Sequence, residues 1–358
     1  MRRFASRFDV LFVEGVPMRS VARGQSGEWR RVLAKLRMLR GGLRTVAPHL
    51  HVLRPFPIPP AGAVGRRLQL LGLRTQVLLT LRRLHLGGPI ITWFSQPICA
   101  PLLGRLGDSG SILYYQDRYD AFSHVDGHYL RQCLADLAAR CNVAVATADE
   151  LAEDLRALGA DPEVVAHGVD AERFAGRPAV PQDLAGFERP LVGYVGIIDD
   201  YLDLELLTKV ADGLERGTVV LVGRANTEVS ALAAHPRIRL LGTRPYESIP
   251  GYLSAFACCL VPFAINRLTV GVNPIKLREY LAAGRPVVST PMPEVHHYGD
   301  VVSIVGGADA FVEAVAASLL DVEDEVAIRR RRDRVAGESW DAVAAQIEPH
   351  LNALLRPR

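Results

Sequence analysis

The sequence predicts an α/β protein built from two tandem Rossmann-like domains. Two observations carry this prediction. Short apolar runs rich in β-branched residues alternate with longer helical patterns along most of the chain, and this order is typical of parallel sheets covered by helices. The chain also has 358 residues, which is too long for one ordinary hydrophobic core and suits two.

The first series of strands lies in the N-terminal half. Residues 8–13 are predicted as a buried first strand, and residues 27–46 as a helix. Closely spaced prolines between residues 55 and 60 indicate a stiff loop inside this domain rather than a boundary. Further strands are predicted at residues 90–94, 111–115 and 143–147.

A second series follows a stretch rich in glycine and proline, residues 175–190, which is predicted to be the linker. Residues 191–195 are predicted as its first strand and residues 203–214 as the helix after that strand. The remaining strands are predicted at residues 218–222, 237–241, 257–261 and 286–289.

The predicted domains follow from these two series. The first covers residues 1–174 and the second residues 191–335, and a last helix within residues 336–358 is expected to return to the first domain. In doubly wound sheets, ligands bind at the carboxyl ends of the strands. Two such domains facing each other would therefore form a binding cleft between them.

The composition argues against a membrane-spanning or secreted protein. We expect no transmembrane span, because no stretch combines the length and the apolar character of one. The basic N-terminus is not followed by an apolar run of signal-peptide length, so a cytoplasmic location is expected. The cysteines show no zinc-binding spacing and are predicted to be small buried apolar residues. They are Cys99, Cys133, Cys141, Cys258 and Cys259.

Charge is distributed unevenly along the chain. Residues 1–90 hold 17 basic and three acidic residues, although the whole chain has a formal net charge of only +3. A split of this size indicates a partner that is itself anionic. The alternative, that many of these arginines lie on solvated helix faces, stays open.

The most informative segment is residues 273–288, which is predicted as a sharply delimited helix followed by a strand. Asn273 suits the N-cap and Pro274 the first helical position. Gly284 suits a left-handed stop at the C-terminus, and Pro286 prevents continuation of the helix.

Two charged residues near the start of this helix suggest a nucleotide site. Lys276 and Glu279 are three residues apart, so they share one helix face. The helix N-terminus favours a phosphate, to which Lys276 would add a full charge, and Glu279 could accept hydrogen bonds from ribose hydroxyls. The chain has three lysines against 39 arginines, which suggests that Lys276 is needed as a compact ammonium. An ordinary Lys–Glu helical pair remains the alternative.

The same segment resembles the donor-site motif of GT-B glycosyltransferases related to retaining family 4, in the bacterial branch with P-x-K-x-x-E-Y-L-A-A-G-x-P-V-V. Weaker similarities to that branch lie at residues 115–122, 167–174, 193–207 and 242–250. The resemblance implies the GT-B fold and transfer of a sugar from a nucleotide-diphosphate sugar, expected to be UDP-linked, with retention of configuration. It implies no metal and no cofactor besides this co-substrate.

The resemblance also implies the site residues. Lys276 would bind the diphosphate and Glu279 the ribose. The other donor-binding candidates are Gly196, Arg244, Asn266, Arg267, Gly271, Val272 and Asn273. Asp117 and His124 follow a predicted strand of the first domain and are candidates for orienting or deprotonating the acceptor.

Two departures from the family pattern leave alternatives open. Gly271 stands where the family has the first of two glutamates, and residues 197–200 replace the usual arginine and lysine. A hydrolysing UDP-sugar epimerase and a non-catalytic nucleotide-sugar-binding subunit therefore remain alternatives to a transferase. The departures also leave the stereochemical outcome open.

Three charged or histidine clusters are given structural interpretations instead. Asp203 and Glu205 lie inside an apolar helical pattern, and the adjacent His296 and His297 would point apart on an extended chain. Residues 329–332 are predicted as a solvated basic helix face rather than a nucleic-acid site. No metal site and no nucleic-acid partner are predicted.

Residues 66–86 mix leucines with arginines, and this helix is predicted to be partly core. Its basic character, and that of the whole first domain, predicts an anionic acceptor or acceptor carrier. The two forms considered are a polyprenyl-phosphate-linked lipid and an acidic carrier protein holding a small acceptor. Peripheral membrane contact through the first domain is the corresponding expectation for location.

Overall fold

A computed structural model of the chain describes residues 1–16, 18, 42–56, 62–123, 125–176, 178–320 and 324–356. The chain forms two compact units, one of Met1–Val165 with Ala344–Arg358 and one of Ala166–Val343. Both units are built from helices and mainly parallel strands, so the α/β class with two Rossmann-like domains is confirmed. The linker at residues 175–190 stays a prediction.

The first unit contains two sheets. Its strands are β1 (Val10–Val13), β2 (Leu43–Ala47), β3 (Leu50–Leu53), β4 (Ile90–Phe94), β5 (Asp108–Tyr115), β6 (Val143–Ala146) and β7 (Pro162–Val164). One sheet has the order β1-β3-β2, with β1 parallel and β2 antiparallel to β3. The other is parallel throughout, in the order β4-β5-β6-β7.

The second unit contains one parallel sheet in a doubly wound order. Its strands are β8 (Leu191–Val195), β9 (Thr218–Val222), β10 (Ile238–Gly242), β11 (Cys258–Val261), β12 (Val287–Ser289) and β13 (Ser303–Ile304). The order across the sheet is β10-β9-β8-β11-β12-β13. Strands β8 and β9 occupy the predicted residues without a shift, and β10, β11 and β12 agree within one residue at their ends. Strand β13 was not predicted from the sequence.

Helices flank these strands along the chain. They are α1 (Gly62–Arg83), α2 (Gly127–Arg140), α3 (Asp149–Ala157), α4 (Ala171–Ala175), α5 (Leu204–Gly213), α6 (Ser230–Ala234), α7 (Ile249–Ala255), α8 (Ile275–Ala282), α9 (Ala308–Ser318), α10 (Glu325–Val335) and α11 (Trp340–Leu355). Among the described residues, none of these helices is both long and apolar enough to cross a lipid bilayer.

Two predictions for the N-terminal region are wrong. Leu43–Ala47 is a strand rather than the end of a helix, because it forms a hairpin with β3 around His49, whose φ is 60°. Residues 27–41 of the predicted helix lie outside the described residues. The first strand is also less buried than predicted, since Phe12 is 45% exposed.

The core of the second unit is built on its central strands. All residues of β9 and β11 are buried, as is typical of parallel strands covered on both faces. Cys258 and Cys259 lie in β11 with no exposed area, which confirms their prediction as buried apolar residues. Cys133 is buried as well, whereas Cys99 and Cys141 are half-buried, and all these thiols are free.

Candidate functional site

The sheet of the second unit has a topological switch point between β8 and β11. From β8 the chain continues to β9 on one side, while β11 pairs with β8 on the other side. Helices that follow neighbouring strands to opposite faces leave a crevice at the carboxyl ends of these two strands. This crevice is where a doubly wound sheet binds its ligand.

Two glycines keep the backbone open at the ends of β8 and β9. Gly196 and Gly223 have φ of 148° and 154°, where residues with side chains are strained. A Cβ atom at Gly223 would lie 1.7 Å from the carbonyl oxygen of Gly196. A Cβ atom at Gly196 would lie 2.8 Å from Tyr194 Oη and 3.0 Å from Lys276 Cε. Glycine is therefore required for the close approach of β8, β9 and Lys276.

The helix that carries Lys276 and Glu279 is α8. Its left-handed stop is confirmed, since Gly284 has φ of 75° and the Arg285 amide donates to the Tyr280 carbonyl at 3.0 Å. The predicted start is wrong by one residue, because Pro274 occupies the N-cap position.

Asn273 does not cap α8 with its side chain, contrary to the prediction. The side chain is 4% exposed. Its Nδ2 donates to Glu294 Oε2 at 2.5 Å, and its Oδ1 accepts from Arg278 Nη1 at 2.6 Å. Burial favours these contacts over a helix cap, because the buried side chains of Asn273, Arg278 and Glu294 then satisfy one another's hydrogen bonds.

Arg278 holds α8 against the segment that follows α10. It is 3% exposed, and its Nε donates to Glu338 Oε2 at 2.7 Å. Glu338 also accepts from Tyr298 Oη at 2.5 Å and from Arg334 Nη1 at 3.0 Å. Sequence reasoning missed this role, because Arg278 has the spacing of any helix-surface arginine and its partner is 60 residues away.

Lys276 reaches the switch point. Its Nζ lies 5.3 Å from the ring centroid of Tyr194 in β8 and 4.6 Å from that of Phe263, just after β11. The two aromatic rings attract the ammonium and hold it between the ends of the two strands. The ammonium therefore lies where the topology expects a ligand.

Glu279 is the buried carboxylate of α8. It is 9% exposed and accepts a hydrogen bond from Tyr246 Oη at 2.9 Å. Burial raises the pKa of Glu279 above its ordinary value, although the Tyr246 hydrogen bond and the Lys276 charge oppose this rise. Tyr246 is 46% exposed, and its ring centroid lies 6.1 Å from that of Phe174 and 5.3 Å from Arg173 Cζ.

Arg244 is bound within the protein. Its Nη2 donates to Asp183 Oδ2 at 2.9 Å and its Nε to Tyr252 Oη at 2.9 Å. These contacts hold the loop after β10 against the stretch of residues 182–184. Sequence reasoning did not anticipate that Asp183 would bind this guanidinium.

The loop before α8 is ordered by Asn266. Its Oδ1 accepts from the amides of Leu268 and Thr269 at 2.9 and 3.1 Å, and the exposed Arg267 lies in the same turn. A short 3₁₀ helix, Thr269–Gly271, follows it. The amides of Gly271 and Val272 donate to the carbonyls of Leu268 and Thr269 at 3.3 and 3.1 Å. The structure thus brings Gly271, Val272 and Asn273 directly before α8.

The candidates of the first unit lie after β5. Asp117 is half-buried in that loop, and His124 lies outside the described residues. The neighbouring Arg118 is 7% exposed, and it donates to Asp154 Oδ2 at 2.6 Å and to Glu150 Oε2 at 3.4 Å. Arg118 therefore fastens the loop of Asp117 to α3.

The three clusters given structural interpretations are only partly as predicted. Asp203 caps α5, since its carboxylate accepts from the Leu206 amide at 2.8 Å. His296 and His297 are exposed as predicted, but they lie in a 3₁₀ helix, Pro293–Tyr298, rather than on an extended chain. The predicted solvated basic face at residues 329–332 is only partly present, since Arg329 and Arg330 are exposed but Arg331 is 8% exposed. Arg331 donates to the Gly284 carbonyl at 3.2 Å, at the negative C-terminal end of α8.

The second unit matches a known protein family. Residues 189–321 match a glycosyltransferase family model, described as "Glycosyl transferases group 1". This match includes the switch point, Lys276 and Glu279.

A curated protein shares part of its sequence with this chain. TuaH of Bacillus subtilis (strain 168), which is named as a teichuronic acid biosynthesis glycosyltransferase, is 28% identical over 193 residues. The similar region covers 51% of this chain and 49% of that relative. The chain thus spans about half the length of the curated relative that it matches.

Solved structures resemble the chain over nearly its whole length. Sucrose-phosphate synthase from Thermosynechococcus elongatus has a TM-score of 0.71 at 16% identity and covers 97% of this chain and 99% of its own. Anabaena HepE in complex with UDP and glucose has a TM-score of 0.65 at 14% identity and covers 97% and 100%. At these identities the likeness shows the fold, which is that of the GT-B glycosyltransferases.

Proposed function

We propose that this chain is a glycosyltransferase that moves a sugar from a UDP-sugar to an acceptor. The observation that carries the proposal is the position of the Lys276 ammonium, which lies between Tyr194 and Phe263 at the switch point of the sheet. The family match over residues 189–321 supports the reaction class. The UDP and glucose present in the HepE structure support the choice of donor.

In the proposed donor site, one helix, α8, binds both the diphosphate and the ribose. The N-terminal amides of α8 carry partial positive charge, and Lys276 adds a full charge beside them. Together they stabilise the negative charge that grows on the leaving UDP, so the proposed reaction needs no metal. Glu279, one turn further along α8, accepts hydrogen bonds from ribose hydroxyls.

The other donor contacts surround this helix. The backbone at Gly196 leaves room for the diphosphate, and the amides of Gly271, Val272 and Asn273 lie next to the helix start. To bind the diphosphate, the Gly271 and Val272 amides would give up their bonds to the Leu268 and Thr269 carbonyls. The remaining proposed contacts come from Arg244, Asn266 and Arg267. Because the side chain of Asn273 is occupied by Arg278 and Glu294, its proposed contact uses the backbone amide.

The acceptor side of the proposal belongs to the first unit. Asp117 and His124 are proposed to orient or deprotonate the acceptor, and the configuration of the sugar is proposed to be retained. The acceptor is proposed to be anionic, either a lipid-linked phosphate or a group held by an acidic carrier protein. The excess of basic residues in the first 90 positions supports this choice. We place the protein in the cytoplasm.

A nucleotide screen followed by product analysis tests this function. UDP at 100 times its dissociation constant should stabilise the protein by about 2.7 kcal/mol, and other nucleoside diphosphates should stabilise it less. With a UDP-sugar and an acceptor, UDP release and a glycosylated product are expected. Free or rearranged sugar formed without acceptor would identify a hydrolysing epimerase. Tight UDP binding with turnover only after a partner is added would identify a binding subunit.

The Tyr246→Phe variant is expected to shift the pH dependence of UDP binding. The Tyr246 hydrogen bond lowers the pKa of Glu279, so its loss should raise that pKa further. Because the ionised carboxylate is the better acceptor for ribose, UDP affinity should start to fall at a higher pH in the variant as the solution is acidified.

Calorimetric titration of UDP between pH 8 and pH 5 measures this shift. At pH 8 both proteins should have similar dissociation constants, which serves as the internal control for intact folding. Superimposable pH profiles would contradict the assignment of Glu279 to ribose.

A further inference from the structure

Two exposed isoleucines lie at the carboxyl edge of the second unit's sheet, in the loops that hold Lys276. Ile197 follows the end of β8 and is 45% exposed, and Ile265 follows the end of β11 and is 49% exposed. The next residue after Ile197, Ile198, is 1% exposed. The chain therefore buries Ile198 in the core and leaves Ile197 at the surface of the switch point.

Hydrogen bonds fix Ile197 beside the Lys276 ammonium. The hydroxyl groups of Tyr194 and Tyr201 both donate to the Ile197 carbonyl, at 2.8 and 2.7 Å. The Tyr194 ring centroid is itself 5.3 Å from Lys276 Nζ. The backbone of Ile197 is thus held by an aromatic residue that contacts the ammonium.

Ile265 is tied to the same cluster. The amide of Ala264 donates to the Tyr201 carbonyl at 3.0 Å. The ring centroids of Tyr201 and Phe263 are 5.1 Å apart, and the Phe263 centroid is 4.6 Å from Lys276 Nζ. The loops after β8 and β11 are therefore joined next to Lys276, and each loop exposes one isoleucine.

The polar side chains of residues 263–275 are already in use. This segment contains no acidic residue. Its side-chain oxygens belong to Asn266, Thr269 and Asn273, which accept from the Leu268 and Thr269 amides, from the Asn266 amide at 2.9 Å and from Arg278. Each of these oxygens has a partner within the protein. Beside Lys276 the segment thus offers aliphatic surface to a ligand rather than side-chain acceptors for hydroxyl groups.

The chemistry of a nucleotide-sugar places its sugar next to this surface. The sugar is bonded directly to the second phosphate, so a diphosphate held by Lys276 brings the sugar ring to the loops on either side of it. A sugar hydroxyl that meets an isoleucine loses its bonds to water without replacement. A methyl group in the same place gains from leaving water.

We propose that the sugar of the donor carries a methyl group, which packs against Ile197 and Ile265. Two classes of sugar share this chemistry. In a 6-deoxy sugar the methyl group is on the ring, and in an acetamido sugar it ends the N-acetyl group. The inference rests on the proposed transferase function, because Lys276 has to hold the diphosphate for the sugar to lie here.

Calorimetric titration of the full chain with matched donors tests this inference. UDP-6-deoxyglucose differs from UDP-glucose by one oxygen at C6, and UDP-N-acetylglucosamine differs from it by the acetamido group at C2. At least one of these two methyl-bearing donors is expected to bind about 10-fold or more tightly than UDP-glucose. The donor that does so identifies the class of sugar.

Serine variants locate the origin of this preference. The Ile197→Ser/Ile265→Ser variant should bind the preferred donor and UDP-glucose about equally. Val180 and Val326 are 46% and 78% exposed in the same unit, so Val180→Ser and Val326→Ser are matched controls that should keep the preference. Thermal melting checks that each variant is folded, and Ile197→Ala/Ile265→Ala replaces the serine variant if that one is destabilised.

UDP without a sugar separates this inference from the proposed function. Binding of UDP together with equal affinities for UDP-glucose and both methyl-bearing donors would overturn the methyl group and leave the nucleotide site in place. A preference that survives in the double isoleucine variant, or that disappears equally in the valine controls, would also overturn it. Undetectable binding of UDP itself would overturn both the inference and the donor site on which it rests.

Discussion

Replacing Lys276 with alanine is expected to lower sugar transfer from a UDP-sugar by about 10²–10³-fold. The Lys276 ammonium is held between the rings of Tyr194 and Phe263, at the carboxyl ends of the two central strands. In the proposed reaction, a charge in that place acts on the diphosphate as it becomes the leaving group. Its loss should therefore reduce kcat more strongly than it raises KM for the donor.

Lys209 provides the matched control for this variant. It is exposed on α5 in the same unit, so Lys209→Ala should leave transfer unchanged. The Lys276→Arg variant should not restore full activity, since the guanidinium is larger and Lys276 Cε already lies close to Gly196. Initial rates over a range of donor concentrations separate kcat from KM. Equal rates for the Lys276 and Lys209 alanine variants would contradict the assignment of Lys276 to the donor site.

The Glu279→Gln variant is expected to weaken UDP binding by about 10-fold while making the unliganded protein more stable at pH 8. The loss of affinity follows because hydrogen bonds to a charged acceptor are stronger than those to a neutral amide. The gain in stability follows because a 9% exposed carboxylate is costly to keep ionised.

The pH dependence of that stability difference has a defined sign. Burial raises the pKa of Glu279 in the folded protein above its ordinary value. The folded state therefore binds a proton at pH values where the unfolded chain has lost it, and the wild type becomes relatively more stable as pH falls through that window. The advantage of the glutamine variant should be largest above the folded pKa and should disappear below the ordinary one.

Thermal unfolding at several pH values and UDP titration measure both effects. Glu205→Gln is the matched control, because Glu205 is exposed on α5, and it should change neither quantity. A Glu279→Gln variant that binds UDP like the wild type would contradict the ribose assignment. A variant that is less stable than the wild type at pH 8 would contradict the cost assigned to the buried charge.

Local sequence signals predicted the elements that carry the site. The apolar runs at residues 191–195 and 218–222 became β8 and β9 without a shift, because a parallel strand covered on both faces needs a continuous apolar stretch. Gly284 ended α8 as predicted, because a left-handed stop strongly favours glycine. Each of these signals is complete within a few neighbouring residues.

The predictions failed where a distant partner decided the outcome. Residues 43–46 became a strand because β3 offered hydrogen bonds across a hairpin, which their own helical pattern did not reveal. Asn273 turned away from the helix end toward Arg278 and Glu294, and Arg331 turned inward to Gly284. In each case burial gave a polar or backbone group a partner that was not visible from local spacing.

The sequence by itself determined the α/β fold with two Rossmann-like domains, the first five strands of the second domain and the helix that carries Lys276 and Glu279. Only the tertiary structure decided which side chains meet. It placed the Lys276 ammonium between the ends of β8 and β11, joined Tyr246 to Glu279 across 33 residues and joined Arg278 to Glu338 across 60. Secondary structure follows from periodicity and turn residues over a few positions, whereas these contacts depend on the order of strands across the sheet, which brings distant segments to one edge.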